Sequence, residues 1–248
     1  MGYLDGKVAL ITGSGRGMGL SHALMMIGEG ARVIIQDVDS DLAEDARRQI
    51  VAAGGEPEVM VSDIADIDTV QAQIAAMEKK CGHIDILVNN AGMSILNTLE
   101  EASEEDYDET FNVHVKGHFF ATKAVIPGMK ARRHGKIVNI SSIWGLTGHH
   151  FNSQYCGAKA ALLGLTKAWA KEFAPYNIHV NAVAPGCVIT DLTLRKGEDY
   201  IKEREKLIPL GRWAAVEEMT NAVMFLVGPQ SDFVTGQCIS PNGGDTIT

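Results

Sequence analysis

Ser142, Tyr155 and Lys159 are side chains whose types and spacing could move a proton at a substrate oxygen. Tyr155 and Lys159 stand four residues apart, so on a helix they share one face. Ser142 lies just past an apolar run that reads as the fifth strand, at the end of a sheet where open α/β folds bind ligands. A free tyrosine has a pKa of about 10, so acting as a base near neutral pH requires a drop of about 3 pH units, or about 4 kcal/mol. An ammonium about 4 Å away contributes about that much at an effective dielectric near 20. Lys159 is therefore expected to make the Tyr155 phenol acidic.

A second constellation precedes it. The stretch Thr12-Gly13-Ser14-Gly15-Arg16-Gly17-Met18-Gly19 joins the first strand-like run to the helical pattern of Leu20, Ala23, Leu24 and Ile27. Glycine lets the backbone approach a pyrophosphate closely, and a helix start offers unpaired N–H groups. Gly13, Ser14, Arg16, Gly17, Met18 and Gly19 are thus candidate contacts of a dinucleotide, against the alternative of a tight turn with no ligand. Eighteen residues past Gly19 stands Asp37, whose carboxylate can accept both ribose hydroxyls and repel a 2′-phosphate, which favours NAD. Arg16 pulls toward NADP. The carboxylate is expected to decide, since facing a phosphate about 4 Å away costs several kcal/mol whereas an exposed arginine contributes about 1 kcal/mol. Asp63, with Ile64 beside it, follows the third strand and can reach an adenine amino group or cap a helix.

Positioning these groups takes alternating strands and helices. Apolar, β-branched runs at 7–12, 32–37, 58–62, 85–89, 136–141, 179–184 and 237–241 alternate with helix-period stretches at about 18–28, 40–53, 66–80, 104–130, 153–174 and 216–227. The pattern predicts an α/β fold, a single doubly wound Rossmann-type domain over 1–248 with a seven-stranded parallel sheet covered on both faces. One longer insertion, at 187–211, carries a charged run at 195–206 that reads as a helical flap.

Composition excludes other classes. Of 248 residues 46% are hydrophobic and 21% charged, and no uninterrupted apolar window of membrane length exists. The N-terminus shows no secretory pattern, which predicts a cytoplasmic protein. The four cysteines, at 81, 156, 187 and 238, have no metal-ligand spacing, so free thiols and no metal are expected. With 22 basic and 31 acidic residues the net charge is −9, which argues against nucleic acid. The segment 158–173 is apolar almost all round. A second copy of the chain is the simplest cover, so a homodimer or homotetramer is expected.

Taken together, Thr12-Gly13-x-x-x-Gly17-x-Gly19, Asp63, Asn89-Asn90-Ala91-Gly92, Asn112, Ser142, Tyr155-x-x-x-Lys159 and Pro185-Gly186 resemble the short-chain dehydrogenase/reductases from about Gly6 to Gly244. The resemblance implies hydride transfer between an alcohol and nicotinamide, with Tyr155 as general base, Ser142 bonding the same oxygen, and Lys159 holding the nicotinamide ribose. It further implies that Asn90, Ala91 and Gly92 line the adenine-ribose side of the cofactor. Asn112 would hold a water linked to Lys159 through its backbone carbonyl, and Pro185, Gly186, Val188 and Thr190 would bind the carboxamide. One departure is Ser240-Pro241-Asn242-Gly243-Gly244, where the family usually has valine and aspartate before two glycines. A proline there requires a strand at the sheet edge or already ending.

Substrate contacts must come from the loops: Ser94, Ile95, Trp144, His149, His150, Phe151, Asn152, Thr193 and Trp213 are the candidates. Their polar and aromatic mixture suggests a small polyol or hydroxy compound, and His149, His150, Arg195 and Lys196 offer an anion contact. The reading is therefore an NAD-dependent secondary-alcohol oxidoreductase. Alternatives are a 3-oxoacyl-thioester reductase of the same family, a non-catalytic NAD-binding module, and a sugar-nucleotide epimerase or dehydratase.

Overall fold

The structure, a computed structural model, describes residues 2–194 and 197–247. Arg195 and Lys196, named above as anion contacts, lie outside the described residues. The chain alternates through β1 (Val8–Thr12), α1 (Gly17–Gly28), β2 (Arg32–Asp37), α2 (Ser40–Ala52), β3 (Glu58–Val61) and α3 (Ile67–Cys81). It continues with β4 (Ile86–Asn89), α4 (Glu104–Phe111), a π-helical turn at Asn112–Gly117, α5 (His118–Arg132), β5 (Gly135–Ile140) and α6 (Ile143–Thr147). Then follow α7 (Ser153–Phe173), β6 (Ile178–Val183), α8 (Asp191–Leu194), α9 (Glu198–Glu205), α10 (Val216–Val227) and β7 (Cys238–Ile239).

The sheet runs β3-β2-β1-β4-β5-β6-β7 with every pairing parallel, the doubly wound arrangement expected. Because β1 pairs with both β2 and β4, the winding reverses there and leaves a crevice at the carboxyl ends of the two strands.

The strands are apolar on both faces because both are covered. Leu10, Ile34, Leu87, Ile137 and Val180 pack with Ile74 of α3, Val125 of α5 and Phe173 of α7. Their chain neighbours Ile11, Ile35, Val88 and Val138 pack with Met26 of α1, Ile50 of α2 and Val223 of α10. Each such aliphatic side chain contributes about 1.5–3 kcal/mol by leaving water, which holds the strand ends, and the loops beyond them, in place.

Three local features differ from the sequence reading. The expected continuous helix at 104–130 contains the π turn, which buries His114. Gly117 closes that turn where a Cβ would stand 2.7 Å from the Ile64 carbonyl oxygen. The last strand is only two residues long at the sheet edge, and it ends before Pro241, whose carbonyl still accepts the Gly186 N–H at 3.1 Å. On α7, Leu162, Thr166, Trp169 and Phe173 are buried while Ala160, Gly164 and Ala168 are exposed, so one apolar face stands open. No described helix is long and apolar enough to cross a membrane.

Candidate active site

β1 enters the glycine turn through Gly13, at φ +61°, and leaves it through Gly17, at φ +57°, both in the left-handed region that glycine favours. Thr12 and Asn90 join this turn to the end of β4. The Thr12 hydroxyl accepts the Asn90 and Ala91 N–H groups at 2.9 and 3.0 Å, and the Asn90 amide donates to the Thr12 and Gly13 carbonyls at 2.9 Å each. Side chains cap α2, α3 and α4: Asp39, Asp66, and a reciprocal Ser103–Asp106 pair. Arg16 gives α1 no such cap, so the first N–H groups of α1 lack a side-chain acceptor, the arrangement that binds anions.

Asp37 ends β2 beside that turn. Its Oδ2 accepts the Gly15 N–H at 2.8 Å and its Oδ1 the Asp39 N–H at 3.1 Å. Asp63 is exposed and accepts the Ala65 N–H at 2.9 Å, whereas the helix cap weighed for it belongs to Asp66. Ile64 is buried beneath Gly117.

Ser142 begins α6, its Oγ accepting the Trp144 N–H at 3.2 Å. Tyr155 and Lys159 occupy the first turns of α7, with Lys159 Nζ 5.5 Å from the Tyr155 ring centroid. All three line one cleft at the carboxyl ends of the central strands. The two helices meet closely because residue 145 is glycine; a Cβ there would lie 2.8 Å from the Lys159 carbonyl carbon. Lys159 is buried, its ammonium donating to the Ile140 carbonyl at 2.7 Å and its own carbonyl accepting the Ser141 hydroxyl at 2.8 Å.

The electrostatics differ from the sequence expectation. Burial pushes Tyr155 up to about 12 despite a lowering pull from hydrogen bonding with Ser142, and burial pushes Lys159 down to about 7. Lys159 thus does not by itself make the phenol acidic. Burial disfavours the charged form of each group, and the ammonium is engaged with the Ile140 carbonyl.

The other candidates divide. Met18, Asn90, Gly92, Ser94, Trp144, Pro185, Gly186, Val188, Thr190, Thr193 and Trp213 line the same cleft. Asn112 opens the π turn and borders neighbouring grooves instead. Asn152 is wholly buried, its amide donating to Ser94 Oγ at 2.9 Å, so it holds the β4–α4 loop and is not among the cleft-lining residues. Ile95 gives its carbonyl to Gln154 Nε2 at 3.2 Å. His149 stacks on Trp144 with centroids 4.0 Å apart, while His150, exposed, stacks behind it and Phe151 lies tilted against His150.

Sequence reasoning missed seven lining residues, Met93, His114, Ile140, Ser141, Ile143, Cys187 and Tyr200. His114 is buried in the π turn, its Nε2 2.8 Å from the Met93 carbonyl oxygen. Burial and the Lys159 charge hold His114 well below the imidazole range and, one helical turn on, push His118 down to about 3. Two histidines four residues apart within an expected helix were the available signal.

A dinucleotide fits these residues. A side chain at Gly19 would collide with the turn itself, its Cβ 2.3 Å from the Gly13 carbonyl oxygen and 2.7 Å from Asn90 Nδ2, so glycine there lets the start of α1 sit close against the turn. The cleft of about 220 Å³ beside it reaches Lys159 and Tyr155.

Comparison with known proteins agrees. A family profile described as enoyl-(acyl carrier protein) reductase matches residues 13–246. The chain is 39% identical over 244 residues to the 3-oxoacyl-(acyl-carrier-protein) reductase of Thermotoga maritima, covering 98% of this chain and 99% of that one. It is 38% identical to the trans-4-hydroxycyclohexanecarboxylate dehydrogenase of Sinomonas cyclohexanicum, covering 97% and 93%. Among solved structures, NAD+-bound xylitol dehydrogenase superposes with a TM-score of 0.93 at 29% identity, covering 97% of this chain and 99% of the other. Levodione reductase gives 0.93 at 28%, covering 97% of each.

Proposed function

The chain belongs to the short-chain dehydrogenase/reductase family of oxidoreductases, and on that footing we propose that it interconverts a small secondary alcohol and its ketone with NAD. The observation that carries this reading is the gathering of Ser142, Tyr155 and Lys159 with Pro185, Gly186, Val188 and Thr190 around one cleft beside the glycine turn. The dinucleotide, when bound, accepts or returns hydride at its nicotinamide ring, and its oxidised form brings a positive charge that favours the phenolate.

Each remaining step belongs to the protein. Gly13, Ser14, Arg16, Gly17, Met18 and Gly19 receive the pyrophosphate at the uncapped start of α1. Asp37 accepts the ribose hydroxyls, Asp63 and Ile64 flank the adenine, and Asn90, Ala91 and Gly92 line the ribose. In oxidation Tyr155 takes the hydroxyl proton while Ser142 bonds the same oxygen; in reduction Tyr155 returns it. Lys159, fixed by Ile140, holds the nicotinamide ribose, with the Asn112 carbonyl supporting its link to solvent.

Asp37 at the end of β2 and the NAD+-bound relative favour NAD. A 3-oxoacyl-thioester reductase is the second reading, supported by the name of the Thermotoga maritima relative. The net charge of −9 weighs against an acidic carrier-protein partner. The open face of α7 adjoins a groove lined by Phe111, Val115, Phe119, Ala161 and Leu165, which supports a homodimer or homotetramer. Sedimentation equilibrium checks that assembly.

The function is tested by following reduced-cofactor absorbance with NAD or NADP against secondary alcohols, polyols, hydroxy acids and 3-hydroxyacyl thioesters. Turnover of a simple secondary alcohol with NAD is the expected result. Activity confined to thioesters with NADP selects the second reading.

A further inference from the structure

The polyol expected from sequence rested on the loop residues, and of these Ser94, Asn152 and Thr193 bond to the protein itself in the fold, as do Asn90 and Ser141 beside them. Asn90 gives its amide to the Thr12 and Gly13 carbonyls at 2.9 Å each. Ser141 donates to the Lys159 carbonyl at 2.8 Å. The Thr193 hydroxyl reaches the Val188 and Thr190 carbonyls at 3.0 and 2.8 Å while accepting the Thr190 N–H at 2.8 Å. Ser94 accepts the buried Asn152 amide at 2.9 Å. A polyol seated here competes with these internal bonds for part of its hydrogen bonding, and each hydroxyl stripped of water without a replacement weakens binding by about tenfold.

What the cleft presents instead is rings. Trp144, on α6, stands edge-on to Tyr155 with centroids 6.0 Å apart at 79°. Its other neighbour is His149, stacked at 4.0 Å, which fixes the indole against the wall. From the α9 side come Tyr200 and Trp213, 6.2 Å apart at 63°. That side is tied down as well: Trp213 Nε1 donates to the Ile201 carbonyl at 3.1 Å, and Arg204 pairs with Asp245 at 2.9 Å. The cleft of about 220 Å³ must also take the nicotinamide end of the cofactor, so the space left suits a small body.

We infer that the substrate is a compact, ring-bearing secondary alcohol or ketone, with its reacting oxygen at Ser142 and Tyr155 and an apolar body against Trp144, Tyr200 and Trp213. Compact rings of low flexibility gain contact with aromatic walls at small entropic cost, which an open-chain polyol does not. This deepens the hydride-transfer reading above and rests on it.

The test compares cyclohexanol, 2-hexanol and a pentitol as substrates of the full chain with NAD. The expected kcat/KM for cyclohexanol exceeds that for the pentitol by about 100-fold and that for 2-hexanol by about tenfold. Trp144→Ala removes the ring preference, Trp144→Phe retains most of it, and NAD binding stays unchanged in both. A pentitol turned over as well as cyclohexanol overturns the inference. Calorimetry on the enzyme with NADH separates this from failure of the hydride-transfer reading. If no alcohol is turned over, tighter binding of cyclohexanone than of a pentulose upholds the ring assignment, and equal or weaker binding overturns it.

Discussion

His114 meets the ring of Tyr155 edge-on, with centroids 5.2 Å apart and planes at 89°, while its Nε2 lies 2.8 Å from the Met93 carbonyl oxygen. One imidazole thereby joins the phenol to the loop after β4. The fit extends to Gly92, where a Cβ would stand 2.6 Å from His114 Cε1.

Removing that imidazole should loosen the phenol without dismantling the cofactor cradle. His114→Ala is expected to lower kcat by about 10–100-fold, the scale of a small misplacement of a reacting group. His114→Phe keeps the ring contact without the bond to Met93 and should fall between. Steady-state kinetics beside NADH fluorescence titration checks this; a loss of cofactor binding as large as the loss of kcat would reject a positioning role.

Tyr155→Phe should bind cofactor and lose turnover by several orders of magnitude. Since burial pushes the phenol up to about 12, alcohol oxidation by the native chain should rise with pH through the alkaline range. Rates measured from pH 7 to 10 that stay level would remove Tyr155 from the base role.

Acid should destabilise the fold through buried imidazoles. Burial lowers both His22 and His118 to about 3. As pH falls below about 6.5 the unfolded chain takes up these protons and the native chain does not, so stability declines continuously until the native groups also protonate near 3. By pH 5 the loss is about 2 kcal/mol per histidine. Urea unfolding at pH 7.5 and 5.0 measures it, and His118→Leu should show a shallower decline than the native chain.

Asp37→Ala should relax the preference for NAD and weaken the glycine turn, because the carboxylate also accepts the Gly15 and Asp39 N–H groups. An NAD/NADP ratio of kcat/KM that does not move would assign the choice to Arg16 or to another group.

Beneath the site, Asn139 accepts from Asn89 Nδ2 and donates to Thr166 Oγ1, both at 2.8 Å, linking β4, β5 and α7. Asn139→Ala should cost about 1–3 kcal/mol for each buried group left unpaired, read as a shift in the urea midpoint.

Much of this architecture was legible before folding. The strand at 32–37 lies where its apolar run placed it, and the others agree to within one residue apart from the C-terminal end of β7. The reason is local: two-sided burial writes β-branched runs into the chain, and turn glycines and helix periods punctuate them. The spacing of Tyr155 and Lys159 was legible for the same reason, since four residues on a helix fix a shared face.

Other properties depend on groups remote in the chain. Whether Tyr155 is acidic turns on how deeply α6, α7 and β5 bury it and on the Ile140 carbonyl claiming Lys159. That Asn152 is buried and bonded to Ser94, while Ser94 still lines the cleft, was decided by packing. His114 became part of the site only because a π turn carried it beneath Gly92. Periodicity and residue type act over a few neighbours, so the order of residues fixed the elements and the reacting groups. Desolvation and the pairing of polar atoms are sums over everything within a few ångströms, and folding alone decided those.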